Sequence, residues 1–558
     1  MKMNIFVTYG LILFLILSLS LVATAVSVQK EDVNVSSYCP KLWVVSPMLK
    51  IHMDDEPIAK SEMVIDLAAS RGEYEHSQIC LRSDRVLKDL KVELSDLKSK
   101  DEAGAISSKN LSWRQVGYVY CKEVTEDSQP SRLNIEPGWW PDPLLEVERF
   151  DLDPNVTQPI WITVYVPKGT NSGSYQGVVR LVIGEEILAQ IPITLEVWPL
   201  DIPWPGKVKT AFSFFYTYPG AKDTEEFNFM DKIYGKFTPE IRDRYFDFLA
   251  KHRIPADMLY LKKQPRPVED YELCIKEGAL NQNLLYVTEK PEDINSTIKK
   301  LEPLVEEFKR KGLIRYFYVY GFDEKKKSII PVLSKVFGAI KQRWPELRTM
   351  AVPGNWAPVP NMPIDIWVCN FNCEIPDGKK RWIDSGKEYW WYHSCTPYKL
   401  NSFVEWPAIH IRLIMWMAAK ERIDGYLYYC GDLWNHSGGL RKIVKMIGPG
   451  PRINFDPATY KHYNGDGSLY YPGPKGPLSS IRLENFTDGF EDWEMFIQLR
   501  KKALKTGKTD VAESLIRKLI RNKDDFTVDP ELLEKTRRQA ATELISLSDN
   551  ETLGKLCK

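Results

Sequence analysis

Up to about residue 205 apolar and polar positions alternate singly, and beyond it they gather into helical stripes and unbroken apolar runs. Ile191, Ile193, Leu195 and Val197 alternate with Pro192, Thr194 and Glu196, a period of two that buries one face of a strand and wets the other. Residues 175–183 form a similar run that stops at Gly184-Glu185, which predicts a hairpin with the first. Ile79 and Leu81 follow Arg71-Gly72-Glu73-Tyr74 in the same style. Short strands with turn signals and no long helix predict a β-sandwich over residues 39–205, with the proline-rich stretch 199–205 as its linker.

From residue 206 the period changes. Thr238 caps a helix with Pro239 in its first turn, and Ile241, Tyr245, Phe248 and Leu249 share one face. Ile298, Leu301, Val305 and Phe308 repeat that spacing before Gly312 stops the next helix. Solid apolar runs, the mark of parallel strands covered on both faces, occur at 210–216, 257–261, 284–287, 316–320, 347–352, 365–369, 388–392 and 426–429. Eight strand-and-helix units across 206–505 predict a (β/α)8 TIM barrel. An open doubly wound sheet is the alternative, but no glycine-rich dinucleotide turn follows the first strand. Residues 506–558 are charged and helical, a short tail whose expected role is packing.

Composition narrows the function. The 558 residues carry 75 Lys plus Arg and 75 Asp plus Glu, so no net field draws in a polyanion and nucleic acid is an unfavoured partner. Aromatic residues make up 12% of the chain, with 17 Trp, enough to furnish flat, weakly polar faces of the kind that stack on sugar rings. Residues 1–25 have the form of a signal peptide: Lys2, an apolar run over 11–22, then Ala23-Thr24-Ala25. A secreted or lumenal glycoprotein is expected, or one anchored by an uncleaved leader; no later stretch is long and apolar enough to span a bilayer. Asn-x-Ser/Thr triplets stand at Asn34, Asn110, Asn155, Asn295, Asn435 and Asn485. Nine cysteines leave at least one unpaired within the chain. Cys369, Cys373, His393 and Cys395 raise the question of a metal site, but no second short-spaced pair completes four ligands, and neither metal nor cofactor is expected.

Barrel active sites lie at the carboxyl ends of the strands. After the fourth run come Asp323 and Glu324. Such a pair can cap and begin a helix; it can also cut a glycosidic bond, which needs a protonated acid at the leaving oxygen and a negative charge or nucleophile near the anomeric carbon. Side chains adjacent on a strand diverge, so one pair can serve both sides of a small pocket. Where the sugar's own 2-acetamido oxygen attacks, an acid and a carboxylate that orients the acetamido N–H suffice. Tyr216, Asn370, Trp391, Tyr392, Trp434 and Asn435 follow or close other runs and are the candidate substrate-binding groups, with core packing as the competing role for each. His393 is expected to be fixed by ordinary hydrogen bonds.

Arg71-Gly72-Glu73-Tyr74-Glu75, Trp140-Pro141-Asp142-Pro143-Leu144, Gly173-Ser174-Tyr175-Gln176-Gly177, Gly321-Phe322-Asp323-Glu324, Asp424-Gly425-Tyr426-Leu427-Tyr428, Gly465-Asp466-Gly467, Tyr471-Pro472-Gly473, Ile481-Arg482-Leu483-Glu484 and Asp488-Gly489-Phe490-Glu491-Asp492 together resemble glycoside hydrolase family 123, from about residue 60 to 505. The resemblance implies a sandwich followed by a catalytic barrel, and exo-acting, retaining removal of β-linked N-acetylgalactosamine from glycolipids or glycans through an oxazolinium intermediate. It makes Glu324 the general acid/base, with burial expected to raise its pKa, and Asp323 the residue that steadies the acetamido group. At Tyr429-Cys430-Gly431 the family pattern has a Trp soon after the tyrosine. A carbohydrate-binding protein without turnover, and a hexosaminidase acting on N-acetylglucosamine, are the alternatives.

Overall fold

The computed structural model describes residues 40–58, 63–101, 104–125, 135–216, 229–262, 264–354, 356–359, 361–372, 376–397, 399–434 and 450–556. The leader, Asn34, Cys373 and Asn435 therefore lie outside the described residues. The expected hairpin is present: Gly173–Ile183 pairs antiparallel with Glu186–Asp201 across Gly184, whose φ of +58° suits glycine at the turn. With Ile65–Arg71, Leu87–Leu94 and Phe150–Leu152 it builds one sheet, and Lys41–Val45, Tyr74–Arg82, Thr157–Tyr165, Leu111–Cys121 and Gly138–Leu145 build a second. Ile79, Leu81, Ile160 and Ile162 of one sheet meet Leu67, Leu181, Ile193 and Leu195 of the other in a shared core, the expected burial of alternate positions in a sandwich.

The eight parallel strands that follow are β1 (Lys209–Ser213), β2 (Ala256–Asp257), β3 (Gln282–Val287), β4 (Phe317–Lys325), β5 (Arg348–Pro353), β6 (Ile366–Asn370), β7 (Glu388–Tyr392) and β8 (Gly425–Tyr428). They pair in the order β2-β1-β8-β7-β6-β5-β4-β3, a barrel closed everywhere except between β2 and β3. The second strand is shorter than its apolar run implied, because residues beyond Asp257 leave the ladder. Side chains and one backbone bond span the seam instead: Asn283 N–H donates to Asp257 at 2.9 Å, its amide donates to the Met258 and Leu259 carbonyls, and Tyr286 N–H donates to Leu261 at 2.8 Å. Tyr318, Tyr320, Met350, Val352, Ile366, Val368 and Trp390 fill the interior.

Helices α1 (Phe229–Tyr234), α2 (Pro239–Lys251), α3 (Val268–Lys276), α4 (Ile294–Arg310), α5 (Ile330–Arg343), α6 (Pro376–Asp384) and α7 (Ile409–Lys420) lie between the strands, two of them between β1 and β2. No helix among the described residues lies between β5 and β6, where the sequence predicts a regular strand-and-helix unit. Thr238 caps α2, its hydroxyl accepting from Ile241 N–H, as its sequence position requires. Three further helices, α8 (Ile481–Lys505), α9 (Val511–Ile516) and α10 (Pro530–Leu556), complete the chain, and Leu533, Ala540 and Leu544 of α10 join the same core as the barrel helices.

From Pro40 onward the chain forms one compact unit, and a buried ionic network shows why. Arg537 of α10 reaches Asp492 of α8 at 2.8 Å, and Glu73 and Glu75 of the sandwich at 3.1 and 2.5 Å. Asp492 also accepts from Arg412 of α7 at 2.7 Å, and Arg253 binds Glu491 at 2.7 Å and the Gly72 carbonyl. Asp142 takes Arg482, Lys50 and the Tyr471 hydroxyl. Most of the motifs that mark the chain thus hold sandwich, barrel and tail together: charges buried this deeply persist only when each is matched.

Candidate active site

The acid pair sits on β4, in a strand rather than at a helix start. The following turn has Lys326 at its cap and α5 has Ile329, neither with a side-chain cap bond, which removes the capping role. Simple alternation would not aim the pair correctly. Tyr318 and Tyr320 point into the barrel and Val319 out, so residue 322 should point in and 323 out. Instead the pairing of β4 with β5 slips between Gly321 and Lys325, and Phe322 and Glu324 adopt φ of +58° and +51°. This bulge turns the Phe322 ring outward onto Phe337 of α5 and reverses the phase of the strand, bringing Asp323 to the tyrosines of the interior. Left-handed backbone at two non-glycine residues flanking an acid is strain of the kind that functional sites retain.

Asp323 accepts from the Tyr260 hydroxyl at 3.3 Å and from Tyr320. Burial raises its pKa to about 6, with the Glu324 charge adding to the rise and the two tyrosine hydrogen bonds and Lys325 opposing it. Glu324 is exposed and accepts from the Tyr392 hydroxyl at 2.6 Å. The burial expected of Glu324 thus belongs to Asp323: the bulge turns one acid inward and leaves the other at the open mouth. Two glycines permit the crowding behind them. A Cβ on Gly321 would stand 2.8 Å from the Val287 carbonyl, and one on Gly354 2.8 Å from the Lys325 carbonyl.

Of the other predicted site residues, Tyr392 alone joins the pair. Strand alternation excludes its neighbour: Trp390 and Tyr392 face the interior, so Trp391 faces out, buried against Phe371 and Lys379. Trp434 has no exposed surface, and its indole N–H donates to the Tyr470 carbonyl at 3.0 Å. Tyr216 is buried against Phe214 and donates to Asp270 of α3. Asn370 ties the segments after β6 and β7, donating to Thr396 and accepting from Asn372 N–H. These four are held in packing or loop contacts, and Asn435 lies outside the described residues. His393 is fixed between Tyr426 and Ser402 at 2.7 and 2.8 Å, and burial together with Arg482 lowers its pKa to about 3, as ordinary bonding predicts.

The rings that do gather at the mouth are Tyr260, Tyr286, Tyr320 and Tyr392. All four lie inside the apolar runs, and only Tyr392 stands among the site residues that the sequence singles out. Their signal was positional: each stands at or next to the carboxyl end of its run, where an inward side chain meets the mouth instead of the packed layers.

Among the described residues no group of His, Cys, Asp and Glu could hold a metal ion, and Cys80, Cys121, Cys274, Cys369, Cys395 and Cys430 are unbridged. The Asn485 triplet is buried in α8, its amide donating to the Ile481 and Pro47 carbonyls, so the folded chain offers no room for a sugar there.

Comparison with known proteins gives two family matches. The glycoside hydrolase 123 N-terminal domain matches residues 50–183, and the glycoside hydrolase 123 catalytic domain matches residues 243–499. Among solved structures, a family 123 glycoside hydrolase from Clostridium perfringens, described in work on glycolipid glycan hydrolysis, is similar with a TM-score of 0.69 and 14% identity, over 93% of this chain and all of that one. A family 5 xyloglucanase from Bacteroides ovatus (TM-score 0.29, 7% identity, 80% of this chain and 99% of that one) is too distant in shape to carry an argument. No curated protein matches the sequence.

Proposed function

The chain belongs to glycoside hydrolase family 123, and on that premise we propose that it removes terminal β-linked N-acetylgalactosamine from glycolipid glycans, with retention of configuration and participation of the substrate acetamido group. One observation carries the proposal: adjacent carboxylates in opposite environments, Asp323 enclosed by tyrosine hydroxyls and Glu324 open to the mouth. Two carboxylates in different environments can take different roles; placing the proton on Glu324 follows the family resemblance, since burial by itself favours the proton on Asp323.

In the first step the acetamido carbonyl oxygen bonds to the anomeric carbon as the glycosidic bond breaks, and Glu324 gives its proton to the departing oxygen. Asp323, ionised, accepts the acetamido N–H and offsets the positive charge of the oxazolinium ring. In the second step water bonds to the same carbon, the ring opens, and Glu324 takes the water proton back. Two inversions at one carbon give net retention. The Tyr392 hydroxyl, donating to Glu324 at 2.6 Å, holds that carboxyl in place through both steps.

The test compares release from aryl N-acetyl-β-galactosaminide, N-acetyl-β-glucosaminide and the non-acetylated β-galactoside. Hydrolysis of the first, with the last inert and Glu324→Gln at least ~10²-fold slower, supports the proposal. Equal release from the non-acetylated sugar would remove acetamido participation, binding without release would favour the non-catalytic alternative, and faster release from the gluco substrate would favour the hexosaminidase.

A further inference from the structure

A second cavity lies outside the barrel, where the sandwich meets α2 and α8, with a volume of about 1000 Å³. Four half-buried aromatic residues line it, Tyr74, Trp113, Tyr165 and Phe248. Neither phenol hydroxyl nor the Trp113 indole N–H has a hydrogen-bond partner among the described residues, although Tyr74 and Tyr165 pack together at 4.7 Å. The charges at its base are satisfied by one another: Glu484, itself almost wholly buried, takes Arg114 at 3.2 Å and His252 at 3.4 Å. Flat rings with unused polar edges, beside a Glu484 whose charge is already matched, suit a polyhydroxylated ligand, although Lys109, Arg244 and Lys475 of the lining have no carboxylate partner among the described residues.

The wall also contains Asn110 of the triplet Asn110-Leu111-Ser112, placed at the turn that opens strand Leu111–Cys121, three residues before Trp113. We infer that this junction cavity is a saccharide-binding site, taking an N-acetylhexosamine chain on the Tyr74, Trp113 and Tyr165 rings. The chain has two possible sources, a glycan linked to Asn110 itself or a separate oligosaccharide. None of these residues belongs to the barrel mouth, so the inference stands or falls apart from the proposed hydrolysis.

Two preparations of the full chain separate the sources. In protein made without N-glycosylation, and carrying Glu324→Gln, chitobiose is titrated by calorimetry. Binding that weakens ~10-fold when Tyr74→Phe and Tyr165→Phe are combined, the loss of about two hydrogen bonds, and again in Trp113→Phe, supports a free-ligand site; Tyr392→Phe should leave it unchanged. In protein secreted from a glycosylating host, glycopeptide mass spectrometry follows native-state removal by an amidase. Asn110 occupied and resistant, while Asn155 and Asn295 are stripped, supports the self-linked glycan, and Trp113→Ala should abolish the resistance. Chitobiose binding absent or indifferent to these substitutions, together with Asn110 unoccupied or released as readily as the other two sites, overturns the inference.

Discussion

The Tyr392 hydroxyl at the end of β7 donates to Glu324 Oε1 at the end of β4 over 2.6 Å, joining two strands that are not neighbours in the barrel. A hydrogen bond to a charged group contributes about 1.5–3 kcal/mol. Tyr392→Phe is expected to lower kcat/KM by roughly 10- to 100-fold with little change in melting temperature, since the ring and its packing remain. A fall in stability without a fall in kcat/KM would show the bond to be structural only.

The proposed role of Asp323 predicts the acid side of the pH profile. Its pKa in the folded chain, about 6 against an ordinary 3.8, lies on the raised side, so the native state holds an extra proton between those values. In the proposed reaction Asp323 acts ionised, so as pH falls below about 6 kcat/KM should drop with an inflection there. For stability the sign is opposite. The contribution of this group is fully present below about 3.8 and is lost as pH rises through about 6, a difference of about 3 kcal/mol. Asp323→Asn should therefore raise the melting temperature at pH 7, flatten the acid limb and reduce turnover of acetamido sugars. An inflection near 6 that survives Asp323→Asn assigns the limb to another group.

Gly321 has no space for a side chain, because its Cβ would approach the Val287 carbonyl of β3 to 2.8 Å. Gly321→Ala must part β3 from β4 at the root of the bulge, at about 1–3 kcal/mol, and should lower both denaturant midpoint and kcat. Wild-type kinetics in this variant would mean that the bulge does not depend on that close approach.

Arg537 carries three carboxylates, Asp492, Glu73 and Glu75. Arg537→Met leaves Glu73 and Glu75 buried without this cation, while Asp492 keeps Arg412, and loss of one partner of a buried pair costs about 3–5 kcal/mol. Chemical denaturation should report that loss, while activity per folded molecule at 20 °C stays near wild type. A variant as stable as wild type would remove α10 from the role of tying barrel to sandwich.

Much of this was legible in the chain. The alternation at Ile191 to Val197 specified a two-faced strand, and the runs at 388–392 and 426–429 fell within a residue of β7 and β8, because burial of a strand on one or both faces is written directly in which positions are apolar. Thr238 and Gly312 marked helix ends for equally local reasons. Asp323 and Glu324 were found as types at a strand end. The choice among aromatics failed where it ignored the period of two: Trp391 and Tyr392 cannot both face inward, and Trp434 went to the core.

Sequence by itself determined the order of strands and helices, the caps, and the acidic pair, since each follows from a few neighbouring residues. Tertiary structure alone decided which acid turns inward and which stays exposed. That depends on a bulge whose two left-handed residues are held by packing from β3, β5 and α5, and on Tyr260 and Tyr392, which come from other strand ends far along the chain and join Tyr320 of β4 around the pair.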